Sequence, residues 1–169
     1  GGALAELPIG DFDRIFAINT RSSWLLGKAA HPHLKESKGA FVATASMSAT
    51  QPTPALGFYS SSKAALLMMI RQLSIEWGPD GIRCNTVSPG PTYTPMTAAG
   101  YEDPSRRDQR EANIPLRKLG VAEDVAQAIL FLIGPHASHI SGVDLLVDGG
   151  MSNMLMPASG GGTGQNRQS

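Results

Sequence analysis

Long helical segments alternate along this chain with short apolar runs that stop at Gly, Pro or Ser clusters, and few folds accommodate that alternation. Phe12, Ile15, Phe16, Ile18, Trp24, Leu25, Leu26 and Leu34, with Asp11 and Asp13 at one end and Lys35 at the other, predict a long helix over residues 12–36. Residues 39–46 form a short apolar run suited to a buried parallel strand. Beyond a loop at Pro52, Pro54 and Gly57, residues 58–77 hold no Gly or Pro, and Gly78-Pro79-Asp80-Gly81 stops this second long helix. Residues 82–88 are the next strand, closed by Pro89-Gly90-Pro91. The Pro-, Thr- and charge-rich stretch 92–118, with a short exposed helix over 106–111, reads as a mobile substrate cover. A helix with Glu123 and Asp124 in its first turn runs to about Ile133, and residues 143–147 are the last strand, before Asp148-Gly149-Gly150. Strands separated by helices pair in parallel through right-handed crossovers, so the expected class is α/β, three parallel strands with flanking helices.

A chain of 169 residues, 41% hydrophobic and 17% charged, suffices for one domain, expected over residues 1–150 with a tail over 151–169. The polar, Gly-rich residues 160–169 are expected to be disordered. Lys plus Arg and Asp plus Glu are each 14, which gives no electrostatic reason to expect nucleic acid or an anionic membrane as partner. No apolar stretch reaches 18 residues and no basic-then-apolar leader opens the chain. Cys84, the single cysteine, excludes an internal disulfide, and a reducing, cytoplasmic setting is expected.

Chemistry concentrates in Tyr59-Ser60-Ser61-Ser62-Lys63. A phenol and an ammonium four apart at the start of a helix share one face and can act on one ligand. An isolated tyrosine, with a pKa of ~10, is a poor base at neutral pH, but a neighbouring cation favours its phenolate. The plainer alternative is a surface pair on an ordinary helix. Ser46 falls at the C-terminal end of the preceding strand, where open parallel sheets place their ligand crevice; its plainer role is capping a turn. His31 and His33, two apart on a helix, point to different faces, and His136 and His139 lack a carboxylate cluster, so all four read as surface residues and no metal site is expected. Cys84 reads as packed, and Leu66, Leu67, Met69, Ile70 and Leu73 as core or subunit contact. No Gly-x-Ser-x-Gly elbow marks a hydrolase.

Taken together, Ile18-Asn19-Thr20, Ser46 thirteen residues before Tyr59, Tyr59-Ser60-Ser61-Ser62-Lys63, Arg83-Cys84-Asn85-Thr86-Val87-Ser88-Pro89-Gly90, Thr94-Pro95-Met96 and Val147-Asp148-Gly149-Gly150 resemble, in order and spacing, the C-terminal part of a short-chain dehydrogenase/reductase. The resemblance covers residues 1–150. It implies a Rossmann-type doubly wound sheet and an oxidoreductase that moves hydride between NAD or NADP and a secondary alcohol or ketone. It further implies a tetrad: Tyr59 as proton donor and acceptor, Ser46 positioning the substrate oxygen, Lys63 holding the nicotinamide ribose and tuning Tyr59, and Asn19 anchoring a water relay. Pro89, Gly90, Thr92 and Thr94 match the loop at the nicotinamide end, with Thr92 where the family usually carries an aliphatic residue, and Gly90 is expected to let the backbone approach the cofactor. Members usually form dimers or tetramers, so a homo-oligomer is expected, through the two long helices or through the last strand and residues 151–156.

The family's Gly-rich loop and first strands have no counterpart here. Supplying them would take on the order of 90 residues at ~30 per βαβ unit, so the sequence reads as part of a longer enzyme. The Gly cluster at 160–164 has no strand before it and no helix after it, and does not substitute. A different outcome is a catalytically incompetent product serving as an oligomerisation or scaffold module. A lyase or dehalogenase on the same fold ranks below both, because the dehalogenase relatives carry Arg where this chain has Lys63.

Overall fold

The computed structural model describes residues 1–154. The first helical run is continuous from α1 (Ile9–Phe16) through a π-helical turn (Ala17–Arg21) into α2 (Ser22–Ser37). Then follow β1 (Ala40–Thr44), α3 (Tyr59–Glu76), β2 (Arg83–Pro89), β3 (Thr92–Tyr93), α4 (Pro104–Ala112), β4 (Gly120–Val121), α5 (Ala122–Ile133) and β5 (Asp144–Val147). Strands β1, β2 and β5 form a parallel sheet in that order, with Phe41 opposite Cys84 and Val87 opposite Leu145. The expected α/β sheet with flanking helices is therefore present. The tail residues 155–169, with the disorder and part of the contact surface expected there, lie outside the described residues.

The core forms where α3 lies on the sheet. Leu66, Ile70 and Leu73, at helical spacing on one face, pack against Ala43, Ala45, Ile82 and Cys84, with Leu34, Phe41 and Trp77 closing the rim. Each fully buried Leu or Ile contributes about 1.5–3 kcal/mol. Cys84 has no exposed surface, and burial pushes its thiol up to about 12, so it is a packing residue.

Buried polar groups fix the strand ends. Asn85 donates to Ile140 O (2.9 Å) and accepts from Val143 N (3.0 Å), which ties the chain entering β5 to β2. The Asp144 carboxylate accepts the hydroxyls of Thr86 (2.8 Å) and Ser88 (2.7 Å) from the neighbouring strand. Arg83 reaches the last turn of α5, donating to Leu132 O (2.6 Å), Ile133 O (3.3 Å) and Gly134 O (3.2 Å), where the orphan carbonyls of a helix favour a cation.

Three features differ from the sequence expectation. The stretch 92–118 is not only loop and helix: Thr92 and Tyr93 pair in parallel with Gly120 and Val121, so a two-stranded ribbon pins both ends of the cover. The short helix extends over Pro104–Ala112, started by Asp103, whose carboxylate accepts Ser105 N at 2.9 Å. His31 is not a free surface residue. Its ring lies 4.7 Å from the Trp77 ring and its Nε2 is 3.1 Å from Asp80, which also pairs with Lys35 at 2.6 Å.

Candidate active site

Beyond the C-terminal ends of β1 and β2 lies a cavity of about 630 Å³, within the range of small-molecule sites. Its wall contains all eight residues marked by the motifs: Asn19, Ser46, Tyr59 and Lys63 on one part, Pro89, Gly90, Thr92 and Thr94 on another. Tyr59 is the first residue of α3, and Lys63 follows one turn later on the same face. Lys63 Nζ lies 5.9 Å from the centre of the Tyr59 ring and donates to Thr44 O at 2.9 Å. Burial holds the Lys63 ammonium below the ordinary lysine range. Ser46 follows β1 and caps the turn Met47–Ala49, accepting Ser48 N on Oγ at 3.1 Å. Capping and cavity lining coexist, because an acceptor role leaves the hydroxyl proton free to donate.

Asn19 reaches this wall through the π turn. Widening one helical turn re-aims its side chains, a device common at functional sites. Asn19 Nδ2 donates to Ser62 Oγ (2.9 Å), Ser62 Oγ donates to Tyr59 O (2.7 Å), and Thr20 Oγ1 donates to Ser62 O (2.9 Å). Ser62, fully buried, is thus the tie between the Asn19 turn and the first turn of α3. Within the motif it looks like a small spacer between Tyr59 and Lys63, and no local signal marks it.

The loop after β2 is shaped from within. A Cβ on Gly90 would sit 2.6 Å from Asp148 Cβ and 2.7 Å from Asp148 Cα. Close packing against Asp148 requires a glycine here, whatever else approaches this backbone. Thr92 Oγ1 donates to Gly90 O at 2.9 Å, so its hydroxyl is engaged within the loop. Thr97, which sequence reasoning missed, donates to Thr92 O (2.7 Å), accepts from Thr94 N (2.9 Å) and lies 3.1 Å from Thr94 Oγ1. Tyr101, from the cover, completes that side of the cavity and was also unmarked. Among the described residues no group of three or more His, Cys, Asp or Glu could hold a metal ion, and no helix is long and apolar enough to cross a membrane.

The donor set fits the ribosyl-nicotinamide end of a dinucleotide. Lys63 uses one N–H on Thr44 O and has others for vicinal hydroxyls. The 89–94 loop presents Pro, Gly and Thr beside it.

A parallel sheet whose strand ends open onto a Ser, Tyr and Lys cavity defines a Rossmann-like α/β domain. The sequence profile described as Enoyl-(Acyl carrier protein) reductase matches residues 1–152. The chain is 37% identical over 149 residues to 2-(R)-hydroxypropyl-CoM dehydrogenase of Xanthobacter autotrophicus, covering 88% of this chain and 60% of that protein. It is 33% identical over 155 residues to Dehydrogenase/reductase SDR family member 4 of Bos taurus, covering 91% and 56%. Its structure is similar to that of 4-hydroxyisoleucine dehydrogenase complexed with NADH, with TM-score 0.84 at 27% identity, covering 90% of this chain and 63% of that one. The chain belongs to the short-chain dehydrogenase/reductase family. It spans about three fifths of the length of the curated relatives it matches.

Proposed function

We propose that the protein containing this chain is an NAD(P)-linked oxidoreductase acting on a secondary alcohol or ketone, with Tyr59 as its general acid and base. The observation that carries this reading is the placement of Ser46, Tyr59 and Lys63 on one cavity wall at the strand ends. When bound, the nicotinamide cofactor supplies or accepts the hydride. Tyr59 gives its phenolic proton to the carbonyl oxygen in reduction and takes the alcohol proton in oxidation. Ser46 donates its hydroxyl proton to the same oxygen and fixes its position. Lys63 holds the ribose hydroxyls, with its ammonium 5.9 Å from the centre of the Tyr59 ring. Asn19, held by Ser62, orients the proton path past Lys63. Pro89, Gly90, Thr92 and Thr94 form the wall at the nicotinamide end.

A homo-oligomer in the cytoplasm belongs to the same reading. Exposed Trp24, Leu25, Met68 and Ile75 on α2 and α3 support self-association, and the lone thiol of Cys84 suits a reducing compartment.

The test is steady-state turnover of ketones and secondary alcohols with NAD(P)H or NAD(P)⁺ by the whole protein, followed by the nicotinamide absorbance. Tyr59→Phe is expected to lower kcat at least about 100-fold, the scale of general acid catalysis, with the far-UV spectrum retained. Full activity in Tyr59→Phe would remove the assigned proton donor.

A further inference from the structure

Beside the cavity of Tyr59 lies a second, smaller one of about 360 Å³, and Tyr101 is in the wall of both. The smaller cavity has a different chemistry. Its charged wall residues are Arg106 and Arg110, at i and i+4 on α4 and therefore on one face of that helix, and no carboxylate lines it. Gln109 and Asn113 add amide donors, and Met151 is also in the wall. The helix bearing these residues makes its own ion pairs elsewhere. Arg107, outside this wall, takes Glu111 at 3.2 Å. Arg106 has only a long contact, Nε to Asp103 at 3.6 Å, and Arg110 makes no ion pair among the described residues. Two guanidiniums and two amides around a concave space that no carboxylate lines form a receptor for an anion, since the guanidinium fork matches carboxylate and sulfonate oxygens.

We propose that this cavity is the distal subsite of the substrate, and that the protein acts on ketones or secondary alcohols bearing a carboxylate or sulfonate, with the reacting carbon at Tyr59 and Ser46 and the anion at Arg106 and Arg110. This substrate class rests on the oxidoreductase reading above. Tyr101, common to both walls, flanks the stem joining the two ends. The cover carrying α4 is pinned at both ends by the β3–β4 pair, so its arginines are held at a fixed span from the strand ends instead of drifting in a free loop. Because the side chain of Arg106 is 79% exposed, the attraction is screened by salt, and low ionic strength shows it best.

The experiment compares levulinate and its next two homologues with their methyl esters, as kinetic substrates and as ligands in calorimetric titration of the whole protein. The expected result is that one acid of the series has a KM at least about tenfold below that of its ester at low salt, and that the preference shrinks as salt rises. Arg106→Gln/Arg110→Gln is expected to raise KM for the acid at least about tenfold, and by a larger factor than KM for the ester, so that the preference for the acid is lost. Equal KM for acid and ester in the unaltered protein, or no change for the acid in the double variant, would overturn the subsite. The calorimetric arm separates the two readings. Binding of the acid that is lost in the double variant, with no turnover of any ketone, keeps the anion subsite and rejects the oxidoreductase reading. Turnover of ketones with no acid preference keeps the oxidoreductase and rejects the subsite.

Discussion

Ser62 has no exposed surface, and its hydroxyl accepts from Asn19 Nδ2 while donating to Tyr59 O. Replacing it with Ala leaves the Asn19 amide without its partner and frees the turn that carries Asn19. Ser62→Ala is expected to cost about 1–3 kcal/mol in urea unfolding, the cost of stranding a polar group, and to lower kcat with little change in KM. An unchanged unfolding midpoint and unchanged kcat would show that Asn19 is held by other means. Lys63 supports a second prediction at this scale, with a definite sign. Burial lowers its folded-state pKa below the ordinary lysine value of 10.5, so between the lowered value and 10.5 the unfolded chain binds more protons than the folded one. Its contribution to stability is unfavourable below the lowered value and improves as pH rises through the window. The stability of the unaltered chain minus that of Lys63→Met should therefore increase with pH across that window, read from urea midpoints; a flat or falling difference would contradict the sign. Tyr59, Lys63 and Ser46 can be marked in the sequence because they fall in short motifs whose order resembles that of the family, although spacing alone leaves a surface pair and a turn cap as alternatives. Ser62 and Thr97 cannot, since their meaning lies in hydrogen bonds across the fold or around a tight loop.

Among the elements, periodicity and punctuation locate the two long helical runs, β1, β2, β5 and α5 to within a few residues, because Gly, Pro and caps act locally. Two elements escape that reading. The π turn at Ala17–Arg21 has ordinary helix-compatible residues, and its register answers to Ser62, 43 positions beyond Asn19. The β3–β4 pair has two residues per strand, too short for any hydrophobic period to show. The same ribbon anchors the loop after β2, whose path depends on Gly90 fitting against Asp148. Gly90→Ala must move one backbone away from the other, because the blocking atoms include Asp148 Cα rather than the tip of a flexible side chain. The expected cost is about 1–3 kcal/mol, as for overpacking elsewhere, with a larger loss of cofactor affinity than of thermal stability in proportion. Equal stability and equal NAD(H) affinity in Gly90→Ala would mean that the loop yields freely.

At the scale of the molecule, two surfaces press toward association by different physics. Among the described residues β1 and β5 are each paired on one side only, so the 169-residue chain taken by itself carries unpaired strand edges that can accept an added strand. Helix α3 exposes Met68 at 60% and Ile75 at 77%, seven apart and so on one face of that helix, apolar surface suited to a second copy of the chain; α2 separately exposes Leu25 at 51%. Neither is specific in the sequence: Met68 and Ile75 lie on the face of α3 turned away from the buried Leu66 and Ile70, and apolar residues on an outer face do not themselves say what covers them. The two surfaces respond differently to charge. Met68→Lys/Ile75→Lys places like charges on the helical face, so it should weaken reversible association of the chain at least about tenfold in sedimentation equilibrium, the scale of two lost apolar contacts. Edge pairing through β1 or β5 would survive that substitution and would appear as slower, larger aggregates with added β-signal in the far UV. A monodisperse monomer before any substitution would mean that neither surface drives association, and an association constant unchanged by the two lysines would assign it to the edge.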